Sequence, residues 1–540
     1  MIHRSTLGAA AATAALAVAA VAGGLTTTSG ATTPRAKTEV KAIGGLTYSK
    51  DIAPIVYQNC TSCHRDGEVA PFSLSNYDEV KRHAATMAAV TQSRYMPPWK
   101  AAPDGDKFAG ERRLSDTQIA TIQQWVSEGM PEGNPADLPA APHFASGWRL
   151  GPPDAVVQPT AAYPVSADGD DLYRCFVIPT SYDKDRYLSG LEVHPGNGKI
   201  VHHIIVYLDT TGAAREKERD AHETEPGYTS FGGPGFPPSG ALGGWAPGND
   251  PLMVPPGDGI LLPKGADIVM QIHYHKDGKP ETDLSKIGLY FSKTPVDKRV
   301  RTMQIMQPFL HIEPGDAHYR AKTMMTVPAD IHALDVLPHM HLVGHDITVA
   351  AIAPGHPAQT LVSVPQWDFN WQTRYTFKQP VALAKGTRID VVAHYDNTDD
   401  NPRNPNTPPK LVKWGEQTTD EMCIAFVSYT IDDEHLIKGI TGSSGPEFGK
   451  TREEGILTDM IAQFDMDDNG ALDQKELAKL IAYFRERNGS NSGGLLASAA
   501  PEDLAQRAIM LEDRNGDGQL DSKEMAELLR MMNKGGGGAK

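Results

Sequence analysis

HMHLVGHDITVAAIA, residues 339–353, places three histidines at the head of an apolar, β-branched run. That texture reads as a buried strand. It recurs in KIVHHIIVYLD (199–209), ADIVMQIHYH (266–275) and TRIDVVAHYDN (387–397), each bounded by Pro, Gly or Asp turns. Short strands at this spacing predict β-sandwiches, and the stretch is long enough for two, over 151–300 and 301–437. Residues i and i+2 of a strand share a face, so His339 and His341 are expected to project together, as two imidazoles gripping one ion must. His345, beyond Gly344, is expected to point elsewhere, and with His332 and His394 it reads as an ordinary hydrogen-bonding histidine. His202 and His203 are a harder case, because neighbours on a flat strand face opposite ways. Either the backbone twists or bulges there, or only one of them is a ligand.

The flanks have a different texture. Residues 45–135 carry helical patterning, from IAPIVYQNC (52–60) to LSDTQIATIQQWVSEG (114–129), where Ser115 is the expected N-cap and Ile119, Ile122 and Val126 recur at helical spacing. Within this region CTSCH, Cys60 to His64, has the covalent haem pattern: Cys60 and Cys63 supply thiols to the haem vinyl groups and His64 an axial ligand. Met96 in RYMPPW is the choice for the sixth ligand, since Pro97 and Pro98 stiffen the backbone after it and a thioether raises the haem potential. Met87, Met130 and His83 are the alternatives. A Pro-rich linker occupies 136–150, and helical patterning returns over 455–533 after GSSGPEFG (442–449). There DMDDNGALDQKE (465–476) and DRNGDGQLDSKE (513–524) both fit the calcium loop D-x-[DN]-x-[DN]-G-x5-E. The expected oxygen ligands are Asp465, Asp467, Asn469, the carbonyl of Ala471 and Glu476, then Asp513, Asn515, Asp517, the carbonyl of Gln519 and Glu524.

The 540-residue chain is too long for one core. Its net charge of -16, without a run of Lys or Arg, argues against nucleic acid and against anionic membranes as partners. Residues 1–22, with His3, Arg4 and an alanine-rich run ending in Ala20-Val21-Ala22, read as an export signal, the alternative being a retained anchor. A periplasmic or extracellular location is therefore expected, with no stable membrane insertion. Of four cysteines only Cys175 and Cys423 remain beyond CTSCH, either bridged or as two separate buried thiols.

Which metal suits the histidines? No further thiolate pairs are available for structural zinc. Imidazoles with a thioether suit copper cycling between two oxidation states, because soft sulfur stabilises the reduced ion, and Met422 in TTDEMCIAF is the candidate thioether. The ordered set KIVHHIIVYLD, GGWAPGN, MQIHYH, HMHLVGHDITV and TTDEMC resembles the copper type II, ascorbate-dependent monooxygenases, the family of dopamine beta-monooxygenase and the peptide-amidating monooxygenase. The resemblance implies two jelly-roll-like β-sandwich domains with one copper each, so that the whole is multidomain and mainly β, flanked by a helical cytochrome c domain and a helical EF-hand pair. It implies that His202, His203 and His273 hold an electron-transfer copper and that His339, His341 and Met422 hold the oxygen-activating one, with His275 in a supporting position. The implied reaction is hydroxylation of an aliphatic or benzylic C–H bond by O2. Its partners are O2, a small organic substrate and an electron donor, either a protein or an ascorbate-like reductant. Where peptide-amidating enzymes carry an Arg and a Tyr that anchor a carboxylate, this chain has Leu337 and Phe426, which disfavours peptide amidation. The fused haem suggests that electrons reach the coppers from within the chain. The alternative function is a haem/copper electron-transfer or redox-sensing protein without turnover.

Overall fold

The computed structural model describes residues 45–535 apart from 67, 69, 104–106, 145–146, 443–451 and 489–498. The proposed export signal and nearly all of GSSGPEFG lie outside the described residues. No helix among the described residues is long and apolar enough to cross a membrane.

Alternating β-branched runs pair as the sequence pattern predicts, and the structure is mainly β. In the first half, Leu172–Pro179, Asp267–Tyr274, Val201–Asp209 and Gly240–Trp245 form one antiparallel face. Opposite it stand Ala155–Val157, Lys286–Phe291, Arg186–His194 and Asp258–Leu262, and the buried side chains between, among them Leu188, Leu191, Ile204, Ile268 and Ile287, make one core. In the second half, Tyr319–Thr326, Arg388–Tyr395, Gly344–Ile352 and Gln359–Val364 face Lys298–Met306, Ile424–Ile431, Ile331–His339 and Tyr375–Leu383. One sheet runs through both halves, because Lys298–Met306 pairs in parallel with Asp258–Leu262 at the junction of the two.

The strand expected through HMHLVGH is interrupted. Ile331–His339 ends on the first histidine and Gly344–Ile352 begins after a turn, so His341 is carried by the turn and not by a strand face. The reason lies in packing: Met340 and Val343 are buried under the reversal, and a Cβ on Gly344 would lie 2.8 Å from Met340 Cε and 2.9 Å from Trp367 Cδ1. Only glycine admits that approach.

Helices stand at either end. Ala53–Asn59, Tyr77–Arg82, Ala84–Gln92 and Asp116–Ser127 surround Tyr48, Ile52, Ile122 and Trp125. Ser115 caps the last of them in a capping box, its Oγ accepting from Gln118 N–H while Gln118 Oε1 accepts from Ser115 N–H. At the other end, Arg452–Phe464 with Gln474–Asn488, and Pro501–Glu512 with Ser522–Gly535, form two helix–loop–helix units. Their loops pair through Leu472 and Leu520, each donating its N–H to the other's carbonyl at 3.0 and 2.9 Å.

The segment between the third and fourth helices leaves its own neighbours. Trp99, Ala101 and Phe108 are buried in the core of the second sandwich, where Trp99 meets Tyr375 edge-on at 5.2 Å and Phe108 stacks on Phe377 at 5.6 Å. Ala102 N–H donates to Ser363 O and Ala109 N–H to Thr376 O, so backbone bonds fix the crossing. Truncating a buried Trp in such a core removes about 3–5 kcal/mol. Trp99→Ala is therefore expected to lower the urea midpoint of the chain and expose the backbone around Trp99 to limited proteolysis, whereas Tyr95→Ala, at a side chain 42% exposed, shifts the midpoint little.

Candidate metal centres

His203 lies opposite His273 in the pairing of Val201–Asp209 with Asp267–Tyr274, but the next partner of Tyr274 is Val201. His202 is thus the extra residue of a β-bulge, the device that turns two neighbouring side chains to one side. Ring nitrogens of His202, His203 and His273 all lie within 4.8 Å of one another. Asp171 Oδ2 stands 3.0 Å from His273 Nε2 but off the line of a hydrogen bond, so the buried His273 ring has no hydrogen-bond partner on either nitrogen. A carboxylate beside Nε2 leaves Nδ1 to the cluster. Asp171 also reaches His275 Nδ1 at 2.9 Å and accepts from the Thr418 hydroxyl. Burial raises its carboxyl, but the neighbouring His273 and His275 rings and the Thr418 hydroxyl prevail and hold it well below the usual carboxylate range.

The second group is assembled by strand pairing. His339 sits opposite Ile424, and Met422, two residues before Ile424, is buried on the extension of that pairing toward His341. Glu421, fully buried, ties the turn to this strand end: it accepts from the backbone N–H of His341 at 2.8 Å, Val343 at 2.8 Å and Met422 at 3.1 Å. Burial pushes its carboxyl up to about 8, against these donations. Tyr395 holds the other side, donating to Met422 O at 2.7 Å. His339 Nδ1 is 2.6 Å from Gln372 Oε1 and His341 Nδ1 is 3.1 Å from Asp420 O, which orients both rings and leaves both Nε2 atoms for an ion. The two groups approach each other across one aromatic ring: Phe369 stacks on His202 at 4.6 Å and meets His341 edge-on at 5.6 Å.

All five imidazoles are neutral at neutral pH, as metal ligands must be. Burial, then the charges of His273 and His339, push His202 down to about 3. Burial takes His339 to about 4 against its bond with Gln372, and takes His203, His273 and His341 below the ordinary value of 6.5. Three converging imidazoles in the first group, with His273 Nδ1 unpartnered, and two Nε2 atoms near a buried thioether in the second are a nitrogen and sulfur donor set that fits copper.

At the N-terminal end, His64 Nδ1 lies 3.1 Å from Phe72 O, which leaves Nε2 for an axial bond, and Cys60 and Cys63 are half-buried free thiols. This set fits a covalent haem. Met96 follows Ala84–Gln92 with its N–H donating to Val90 O. Among the alternatives, His83 stacks on Phe72 at 3.9 Å, whose ring lies 4.7 Å from His64. In the C-terminal units, carboxylate oxygens of Asp465, Asp467 and Glu476 converge within 4.8 Å. Asn469 Oδ1 accepts from Ala471 N–H. In the second loop Asp513 accepts from Gly516 and Gly518, Asn515 from Asp517, Asp517 from Gln519, and Glu524 from Arg514, Asn515 and Asp521. Gly470 and Gly518 take φ of +89° and +81°, the left-handed turn that such a loop needs.

His345 and His394 both bind Asp346 instead of joining a centre. Cys175 and Cys423 are free buried thiols in separate clusters. Sequence reasoning missed Asp171, Phe369, Gln372 and Tyr395, whose partners lie far off along the chain. Glu421 left a trace, being a charge inside the apolar run around Met422.

Comparison with known proteins adds the class. Residues 300–441 match the family model of the copper type II ascorbate-dependent monooxygenase, C-terminal domain. This supports a copper-dependent monooxygenase, an oxidoreductase class that uses O2 and a reductant. DBH-like monooxygenase protein 1 of Homo sapiens is 24% identical over 291 residues, covering 48% of this chain and 44% of that protein. The chain thus spans less than half the length of this curated relative. Among solved structures, the major capsid protein P2 of bacteriophage PM2 is 11% identical over 51% of this chain and 97% of that one, with a TM-score of 0.23. The infectious bursal disease virus VP2 subviral particle is 8% identical over 52% and 77%, with a TM-score of 0.14. Such scores relate no folds.

The imidazole shifts have a consequence for stability. Each folded pKa lies below the unfolded value of about 6.5, so between the two the unfolded chain binds more protons. Stability is complete above about 6.5 and lost as pH falls toward the folded values, by about 1 kcal/mol per pH unit and imidazole. In the metal-free chain, thermal melting at pH 7.5 and 5.0 should show a larger drop for the wild type than for His203→Phe.

Proposed function

We propose that this chain is an exported, copper-dependent monooxygenase that hydroxylates a C–H bond of a small, uncharged organic molecule. The observation that carries the reading is the convergence of His202, His203 and His273 on one side of Phe369, with the rings of His339 and His341 5.1 Å apart on the other and Met422 buried beside the Glu421 that binds their turn. Copper at these positions supplies one-electron chemistry with O2. The protein's own contribution is to keep every ligand imidazole uncharged, orient the rings through Asp171, Gln372 and Asp420, and exclude water around Glu421 and Met422.

The surroundings of His339 define the substrate class. Leu337 lies directly opposite Phe426, and both share the His339 face of the sheet, since Leu337 is two residues before His339 and Phe426 two after Ile424. Both are half-buried and neither offers a charge. An apolar C–H face suits that surface better than a carboxylate does.

A covalent haem at Cys60, Cys63 and His64, with Met96 as sixth ligand, supplies an internal one-electron carrier in this reading. Its support is the seating of Trp99, Ala101 and Phe108 in the second sandwich, where Lys100 Nζ comes within 3.9 Å of Asp368, the residue before Phe369. The two C-terminal loops, as an EF-hand pair, bind calcium through the side chains named above and the carbonyls of Ala471 and Gln519.

Chain purified from an oxidising host is expected to hold two copper ions and one covalent haem iron, and to transfer one atom of 18O2 into an apolar substrate from a C–H panel. Full metal loading without 18O incorporation across the panel would favour the redox-carrier alternative. Phe426→Arg is expected to lower kcat/KM for the apolar substrate about tenfold or more and to favour carboxylate-bearing analogues; an unchanged ranking of substrates would show that this face does not meet the substrate.

A further inference from the structure

The C-terminal helical units are packed against the sandwich next to the Met422 strand end, and one fully buried amide lies where they meet. Gln307 follows Lys298–Met306 and is fully buried. Its backbone N–H donates to Cys423 O at 2.9 Å, one residue from Met422. Its side-chain nitrogen donates to Lys322 O at 2.5 Å and to Asp459 O at 2.9 Å, and its Oε1 accepts from Phe309 N–H at 2.9 Å. Every donor and one acceptor site of the amide is used, which leaves it one arrangement. Asp459 belongs to Arg452–Phe464, the helix that runs directly into the first loop at Asp465.

A second connection runs beside the first. Gln463, near the end of the same helix, accepts from Lys322 N–H at 3.0 Å and donates to the Tyr319 hydroxyl at 3.1 Å and to Arg320 O at 3.0 Å. Tyr319 lies 6.1 Å from Tyr395, which donates to Met422 O. The loop itself is also tied down. Asp468, between the expected ligands Asp467 and Asn469, binds Arg320 at 3.0 Å and Lys322 at 2.5 Å. The helix that leads into the loop is thus joined by hydrogen bonds through Gln307 to Cys423, the residue after the thioether, and through Gln463 to Tyr319, whose ring packs on the Tyr395 that holds Met422 O.

We propose that Gln307 is a positioning residue of the His339/His341/Met422 centre, and that through it occupancy of the 465–476 loop sets where Met422 stands. The inference rests on the copper reading above. Coupling of this kind is reciprocal: whatever factor calcium contributes to copper binding, copper returns to calcium binding.

The test uses the full chain and Cu(I) in competition with a chromogenic chelator, with calcium and with EGTA. Copper absent from His339→Ala defines the second centre. Calcium removal is expected to weaken Cu(I) at that centre about tenfold, the effect typical of residues that orient a ligand, to diminish the copper–sulfur contribution in X-ray absorption, and to leave the His202/His203/His273 centre unchanged. Gln307→Met, similar in length but unable to donate, should show the weaker affinity in both conditions. Without any variant, Cu(I) loading of the wild-type chain should tighten calcium by the same factor. Equal Cu(I) affinity with and without calcium, or undiminished calcium sensitivity in Gln307→Met, overturns the inference while leaving two bound coppers in place. Absence of copper at the second centre in every condition overturns the copper reading itself.

Discussion

The carboxylate of Glu421 is the interaction on which the second centre depends. Three N–H groups from two segments point inward there: those of His341 and Val343 in the turn after His339, and that of Met422 at the strand end. Without a carboxyl to accept them, these buried donors would each cost about 1–3 kcal/mol, and the turn bearing His341 would lose its backbone tie to the strand end at Met422. A buried carboxylate is itself expensive to desolvate, and its raised pKa expresses that cost. The fold tolerates the cost because one side chain joins backbone from two sides of the site.

The first centre is solved differently. There the problem is not joining distant segments but turning two adjacent residues to one side, and a bulge in an otherwise regular ladder does so. Asp171 then serves His273 and His275 together and reaches Thr418, in the loop before Met422. The two centres thus share supports as well as Phe369. The continuous sheet through Asp258–Leu262 and Lys298–Met306 makes this possible, since it fixes one sandwich against the other with backbone hydrogen bonds.

How much of this was legible in the sequence follows the separation of the partners. The two D-x-[DN]-x-[DN]-G loops and CTSCH are local patterns, each contained within a dozen residues, so their expected ligands can be read from spacing alone. The β texture was readable because burial imposes its period on each strand by itself. Reading HMHLVGH as one strand failed because an apolar run does not distinguish a strand from a tightly packed turn, and what decides is the space that Met340 and Trp367 leave at Gly344. Trp99 and Phe108 were read with the helical region for a similar cause: hydrophobicity tells that a side chain is buried and not in whose core. Gln372, Phe369 and Gln307 are ordinary residues in ordinary contexts, and only tertiary pairing gives them a role.

In the copper reading proposed above, the arrangement of supports gives the two C-terminal helical units a route to the site. Ligand imidazoles here are oriented by neutral or already-paired groups, so their positions respond weakly to distant charge. Met422 has no such partner on its sulfur among the described contacts; its position is set through its own peptide groups, by Glu421, Tyr395 and the Gln307 bond to Cys423. A thioether held only by its backbone moves when that backbone moves. Two of those three supports continue outward to Arg452–Phe464, one through the Gln307 amide and one through Tyr319 and Gln463. The softest ligand of the candidate copper centre is therefore the one most exposed to the state of the C-terminal loops, while the histidines remain fixed by the sandwich alone.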